Sequence, residues 1–134
     1  MKPCVLYFSR TGNTKRMAEA IAEATNAPVF AIASSEPSVV GDFDLLIVGT
    51  PVEGFRPAKE TVEFLERLPK TEGKKAILFC TYALWKGRTI GVLKKQLSSK
   101  GYKTILDVST KGMKPDQPAD FSESINKIKK ALEK

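Results

Sequence analysis

The sequence predicts an open, doubly wound α/β fold in which a five-stranded parallel sheet carries helices on both faces. Five short runs of branched and aromatic residues are continuous rather than alternating, as expected of strands that are covered on both sides. Helical patterns separate most of these runs, which is typical of parallel strands joined by crossover helices. The runs occupy residues 4–8, 29–33, 45–48, 76–80 and 104–108.

Four stripes of apolar residues with helical spacing predict the helices. The second stripe follows Pro57, which suits the first turn of a helix, and the third ends before Gly101 in a C-cap position. Residues 34–42 have too few apolar positions for a full helix, so we predict a loop or a single turn there. The stripes are Met17, Ile21 and Ala24; Val62, Leu65 and Leu68; Ile90, Leu93 and Leu97; and Phe121, Ile125, Ile128 and Leu132.

The composition indicates one globular domain spanning residues 1–134. Hydrophobic residues make up 42% and charged residues 28% of the chain, which are ordinary fractions for such a domain. No apolar run approaches the roughly 20 residues that a membrane span requires. Residues 1–3 lead directly into the first predicted strand, and we therefore expect a cytoplasmic protein.

The net charge of +7 raises the question of a nucleic-acid ligand. The Lys and Arg residues are spread along the chain without a basic block, which argues against nucleic acid and favours an acidic protein partner. Because the chain has no histidine and no CxxC pair, we do not expect a metal site. Cys4 and Cys80 are predicted near opposite ends of their strands, too far apart for a disulfide.

A polar turn between the first strand and the first helix contains the residues that most strongly indicate a ligand. Its hydroxyl and amide donors stand at the positive end of a helix dipole, which suits a phosphate group. An ordinary N-capped turn uses the same residue types, but the density of donors within six residues favours phosphate. The nucleoside-triphosphate and dinucleotide glycine motifs are absent, so the turn is sized for one phosphate monoester. It consists of Ser9, Arg10, Thr11, Gly12, Asn13 and Thr14.

Two further loops leave the carboxyl ends of neighbouring strands and should meet this turn, where open α/β sheets bind their ligands. They span residues 49–57 and 81–88, and their tips carry the aromatic residues Phe55 and Trp85. Aromatic side chains on converging loops suggest a flat ligand that stacks between or beside them, unless they fold back onto the helix tops. A phosphate site beside an aromatic slot describes flavin mononucleotide (FMN).

Three segments of the chain resemble flavodoxins. Residues 9–14 resemble the phosphate loop of that family, and residues 44–52 resemble its third strand and first flavin loop. Residues 76–82 are similar to its fourth strand and second flavin loop. The resemblance covers nearly the whole chain, fits the short-chain type, and implies a flavodoxin-like sheet with strand order 2-1-3-4-5.

The resemblance also implies a set of cofactor-binding residues. Residues 9–14 would hold the FMN phosphate, the first flavin loop would line one side of the isoalloxazine ring, and the second would meet its pyrimidine end, with Trp85 stacking on the ring. Flavodoxins are usually acidic, whereas Arg56, Lys86 and Arg88 give these loops a positive charge. The flavin-loop residues are Thr50, Pro51, Val52, Glu53, Gly54 and Phe55 in the first loop and Thr81, Tyr82, Ala83, Leu84, Trp85 and Gly87 in the second.

The family implies a small electron carrier that cycles FMN through its semiquinone and hydroquinone forms between larger redox proteins. One alternative is an FMN-dependent oxidoreductase of the quinone or protoporphyrinogen type on the same fold. Another is an interaction or signalling domain without a cofactor. A cysteine phosphatase is disfavoured because Cys80 and Arg88 are too widely spaced for a compact phosphate loop and no histidine is present.

Overall fold

The computed structural model describes residues 1–10, 12–82, 85–111 and 121–133. Within these residues the chain alternates between strands and helices, with two short 3-10 turns. Pro37–Asp42 lies in the segment predicted as a loop or a single turn, whereas Ile32–Ser34 begins within the run at residues 29–33 that was predicted as a strand. The elements are β1 (Pro3–Tyr7), α1 (Asn13–Thr25), β2 (Val29–Ala31), β3 (Leu45–Glu53), β4 (Arg56–Pro57), α2 (Lys59–Glu66), β5 (Lys74–Tyr82), α3 (Thr89–Ser99), β6 (Tyr102–Lys111) and α4 (Ser122–Leu132).

The sheet has the predicted order. Its five parallel strands lie in the order β2-β1-β3-β5-β6, which is 2-1-3-4-5 once the two-residue β4 is set aside. In the register of the central strands, Val5 of β1 stands between Val29 of β2 and Ile47 of β3. Because the chain runs from β1 to one neighbour and then to the other, the strand order reverses at β1, where open sheets of this type bind their ligands.

Two apolar layers hold the helices against the sheet. On one face, Leu46 and Leu78 pack with Phe64 of α2 and with the buried side of α3. On the other face, Ile47 and Ile77 pack with Met17 of α1 and with the buried side of α4. Successive residues of a strand point to opposite faces, so the middle of each central strand is apolar on both sides because both faces are covered.

The ends of the strands differ from those of the predicted apolar runs. The first two strands stop earlier, β1 at Tyr7 and β2 at Ala31, whereas the later strands extend further. The third run was expected to end at residue 48 and the fourth at residue 80, whereas β3 continues to Glu53 and β5 to Tyr82. The added residues are polar or partly exposed, and their ladder contacts do not depend on apolar side chains. In particular, residues 49–57, which were predicted as a loop, contain the end of β3 and all of β4.

Within the described part of the chain, no helix is both long enough and apolar enough to cross a lipid bilayer.

Candidate cofactor site

The sheet brings the three predicted loops to one edge. Tyr7 of β1 pairs with Gly49 of β3, and Pro51 of β3 pairs with Thr81 of β5. Just beyond β1, the Phe8 N–H donates to the Gly49 carbonyl at 3.1 Å. The segments that follow these strands therefore begin side by side at the carboxyl edge of the sheet.

The turn between β1 and α1 ends at a helix N-terminus. Gly12 has a φ of 100°, and its N–H donates to Ser9 Oγ at 3.1 Å, which closes the turn. The Arg16 N–H bonds the Gly12 carbonyl at 3.0 Å in the first turn of α1. An α-helix has no internal acceptor for its first N–H groups, and the dipole places partial positive charge there. Thr11, which belongs to the predicted phosphate loop, lies outside the described residues.

Two threonines of the predicted site use their hydroxyls inside the fold. Thr14 Oγ1 and Thr81 Oγ1 are 2.7 Å apart in a buried contact that joins the start of α1 to the end of β5. Thr50 Oγ1 lies 2.9 Å from Thr61 Oγ1 and accepts a hydrogen bond from the Ala58 N–H at 3.1 Å. The Thr50 side chain, which is fully buried, therefore secures the entry to α2 and does not face a ligand.

The first predicted flavin loop is a tight hairpin. Val52 pairs with Pro57 and Glu53 pairs with Arg56 in antiparallel register, which leaves two residues in the turn. Gly54 and Phe55 both have positive φ, 59° and 63°, as in the type I′ turns that suit two-residue hairpins. Phe55 thus stands in a left-handed conformation that a bulky residue rarely adopts. Such strain is concentrated at functional sites.

The second predicted loop closes over the tip of this hairpin. The Arg88 N–H donates to the Phe55 carbonyl at 2.9 Å. Gly87 lies so close to the hairpin that a Cβ on it would come within 2.3 Å of the Phe55 carbonyl oxygen. The described part of this loop is therefore docked on the hairpin. Ala83 and Leu84, which the resemblance assigns to the site, lie outside the described residues.

The close approach at Gly87 gives a first prediction. Gly87→Ala should displace the hairpin and lower both the denaturation midpoint and the flavin affinity. Gly73 is a matched control because it also has a positive φ, 71°, but a Cβ there would meet no atom within 4 Å. Gly73→Ala should cost only the left-handed strain of about 1–2 kcal/mol and leave flavin affinity unchanged. Equal effects of the two variants on flavin binding would show that Gly87 has no special role.

Phe55 and Trp85 form an exposed aromatic pair. Their ring centroids are 5.3 Å apart with an interplanar angle of 52°, and the residues are 47% and 63% exposed. They do not fold back onto the helix tops. A flat ring held between two others needs about 7 Å between them, given an optimal carbon separation near 3.5 Å. This spacing leaves no room for a flat ring between Phe55 and Trp85, so only the outer faces of the pair are open to one.

Three charged side chains near the loops form one cluster. Arg10 binds two carboxylates, Glu53 of the hairpin and Glu60 of α2. A bond from its own backbone N–H and the Arg10 guanidinium both hold the pKa of Glu60 below its usual range. Lys86 Nζ reaches back to Ser109 Oγ of β6 at 3.2 Å.

Neither cysteine is suited to thiolate chemistry. Cys4 and Cys80 are free and buried, and burial raises the pKa of each thiol to about 12. The nearby Lys86 opposes this shift at Cys80 without cancelling it. Both thiols are therefore protonated at neutral pH, which agrees with the argument against a cysteine phosphatase.

Comparison with known proteins identifies the family. A model of the flavodoxin domain matches residues 4–90. The chain belongs to the flavodoxin family. It is 28% identical to a flavodoxin of Megasphaera elsdenii over 127 residues, covering 89% of this chain and 92% of that protein. An uncharacterized protein of Methanocaldococcus jannaschii is 30% identical over 115 residues, covering 84% of this chain and 76% of that protein.

A solved structure supports the same assignment. The solution structure of two-electron reduced Megasphaera elsdenii flavodoxin superposes with a TM-score of 0.75 at 27% identity, covering 87% of this chain and 90% of that one. The resemblance read from the sequence is thereby confirmed, together with the flavodoxin-like fold. Family and fold together make the chain a flavin-binding electron-transfer protein.

The arrangement of donors and rings fits a flavin. The start of α1 offers backbone N–H donors to an anion, and the aromatic pair offers an open ring face. Sequence reasoning missed how the hairpin is held, since the partners of Glu53 and Phe55 come from distant segments.

Proposed function

We propose that the chain binds FMN and carries single electrons between larger redox proteins, taking the flavin through its semiquinone and hydroquinone forms. The exposed Phe55–Trp85 pair beside a helix N-terminus is the observation that carries this proposal. A ring stacked on that pair would lie at the protein surface. A flavin supplies one-electron chemistry, and an exposed ring edge allows exchange with a protein partner.

FMN, rather than FAD, matches the phosphate loop. One short turn and one helix end offer donors for a single terminal phosphate. The glycine fingerprint that cradles a pyrophosphate is absent from the sequence. In this proposal the phosphate meets backbone and side-chain donors of residues 9–14, and the ring lies between the hairpin tip and residues 81–87.

The enzyme alternative makes a different demand on the site. An oxidoreductase of the quinone or protoporphyrinogen type would turn over its own substrate, whereas a carrier exchanges electrons only with other redox proteins. Steady-state assays of the FMN-loaded protein with NAD(P)H and a quinone should therefore show negligible turnover. Rapid saturable turnover with a small substrate would establish the enzyme alternative and overturn the carrier proposal.

The basic side chains favour an acidic partner. Arg56 and Arg88 are exposed on the two loops that would flank the ring. Glu53, the carboxylate of these loops, is engaged by Arg10. A positive surface around the ring attracts a partner with a negative docking surface, and such steering weakens as salt is added. Electron-transfer rates with an acidic redox protein should therefore fall as ionic strength rises.

The positive charges of the two loops should also shift the reduction potential of the flavin. The fully reduced flavin ring is an anion at neutral pH, so nearby cations favour the last one-electron step. A unit charge at ~8 Å with an effective dielectric of ~20–80 contributes roughly 0.5–2 kcal/mol before screening by salt. Converting Lys86 and Arg88 to Gln should lower the semiquinone/hydroquinone potential by tens of millivolts, since ~1.4 kcal/mol equals about 60 mV for one electron.

A second double variant controls for net charge. Lys129 and Lys130 lie in the last turn of α4, away from the three loops, and their conversion to Gln removes the same two charges. That variant should leave the potential nearly unchanged in a potentiometric titration. Equal shifts in the two double variants would mean that overall charge, not the placement of Lys86 and Arg88, controls the potential.

A further inference from the structure

Arg10 stands in the predicted phosphate loop, yet its side chain is directed to the other side of the site. Arg10 Nε donates to Glu53 Oε2 at 2.5 Å and Nη2 donates to Glu53 Oε1 at 3.0 Å. Nη2 also lies 2.9 Å from both carboxylate oxygens of Glu60. One guanidinium thus joins the phosphate loop to the hairpin and to α2.

The guanidinium of Arg10 also packs on an aromatic ring. Its central carbon lies 4.9 Å from the ring centroid of Phe8, which is itself 9% exposed and belongs to the core. A cation over an aromatic face is attracted by the ring. Glu60 stands in the first turn of α2, where the helix dipole favours a negative charge. The ring that Arg10 packs on and its partner Glu60 therefore belong to the core and to a helix, respectively.

Glu53 links this cluster to the hairpin turn. It is the last residue of β3 and directly precedes the strained turn at Gly54 and Phe55. At the far side of the turn, the Arg88 N–H holds the Phe55 carbonyl. Arg10 therefore contacts the hairpin before its turn, and Arg88, from a different loop, contacts the turn itself.

We infer that Arg10 is a positioning residue for the flavin ring and not a ligand of the phosphate. Its guanidinium is committed to two carboxylates, and a phosphate would have to compete with both. Single exposed ion pairs contribute little to stability, but bidentate geometry within a network is the case in which such pairs matter. Because the Arg10 side chain is 50% exposed, we expect its removal to loosen the hairpin without unfolding the protein.

The part of this inference that concerns the flavin rests on the proposed function. The experiment therefore has one arm without flavin and one arm with it. The first uses the flavin-free protein and follows amide hydrogen exchange across residues 53–56. Arg10→Met, which keeps an apolar side chain over Phe8, should speed exchange there by about threefold or more, given the weak coupling of exposed pairs. Glu63→Gln, which breaks the exposed Lys59–Glu63 pair on α2, is the control and should leave that exchange unchanged.

The second arm measures the dissociation constants of FMN and riboflavin for Arg10→Met, Glu53→Gln and the double variant. A positioning role predicts that each single variant weakens both ligands by a similar factor, about fivefold. The double variant should bind the two ligands no more weakly than the weaker-binding single variant does, because both changes remove the same contact between Arg10 and Glu53. Loss of FMN affinity alone, seen with Arg10→Met and not with Glu53→Gln, would show a direct phosphate contact and overturn the inference.

The two arms separate the inference from the proposed function. If the wild-type protein binds neither flavin, the function proposed above fails together with the part of the inference that concerns the ring. The exchange arm then decides only whether Arg10 orders the hairpin. Unchanged exchange in Arg10→Met would overturn the inference even if FMN binds tightly.

Discussion

Replacing Thr11 and Thr14 together by Ala should weaken FMN binding by about tenfold or more, which is about 1.4 kcal/mol. Riboflavin should lose much less affinity, only as much as follows from breaking the buried contact between Thr14 and Thr81. Hydrogen bonds to a charged group contribute roughly 1.5–3 kcal/mol each, and riboflavin lacks the phosphate that receives them. Fluorescence titration of the flavin-free variant with each ligand measures both constants.

The contact between Thr14 and Thr81 calls for a control. Because these two hydroxyls are 2.7 Å apart and buried, the change at Thr14 also leaves Thr81 without its partner. Thr81→Val removes the other half of that contact and keeps the phosphate-loop hydroxyls. It should affect FMN and riboflavin alike, so any additional loss of FMN in the first variant belongs to the phosphate. Equal losses of both ligands in the Thr11/Thr14 variant would contradict the phosphate assignment.

Gly54→Val should sharply reduce the yield of half-reduced flavin in a stepwise reduction. In the proposed function, a peptide carbonyl at residues 53–55 would accept a hydrogen bond from the half-reduced flavin and so stabilise that form. The Arg88 N–H already holds the Phe55 carbonyl, so the carbonyl that we expect to rotate lies earlier in the turn, next to Gly54. Glycine accepts the φ of 59° at this position, whereas a β-branched residue does not.

The size of this effect follows from the strain. A left-handed conformation costs a residue with a side chain roughly 1–2 kcal/mol, which corresponds to about a 5- to 30-fold change in an equilibrium constant. Gly73→Val carries similar backbone strain at a φ of 71° in a turn with open space around it. That control should leave the yield unchanged. An unchanged yield in Gly54→Val would mean that the peptide does not move or that another group accepts the bond.

The sequence was sufficient for the fold because the fold depends on local patterns. Continuous apolar runs and helical stripes determine which segments are strands and helices, and the turn at residues 9–14 marks the crossover at which the strand order reverses. The ends of strands were harder to predict. Thr50 and Glu53 are polar, yet both belong to β3, because their backbone pairs with neighbouring strands whatever their side chains are.

The details of the site depend on contacts between distant segments. Arg10 meets Glu53 and Glu60, which are 43 and 50 positions away, and no local pattern indicates that pairing. The hydroxyl pair of Thr14 and Thr81 spans 67 positions. In the sequence alone, Arg and Thr at these positions look like donors to a ligand. Only the tertiary structure shows that the Arg10 guanidinium and the Thr14 and Thr81 hydroxyls bind other parts of the chain. Gly87 did carry a signal, since a glycine in a loop often marks a close approach of two backbones.

The most direct test of the account is the visible absorption spectrum of the flavin-free protein after addition of FMN, followed through stepwise reduction. We expect a yellow complex with one FMN per chain, and new absorption bands of the half-reduced flavin that rise and then disappear as reduction proceeds. A protein that stays colourless with FMN would contradict flavin binding and support an interaction domain without a cofactor. A yellow complex that passes directly to the fully reduced form would contradict a one-electron carrier.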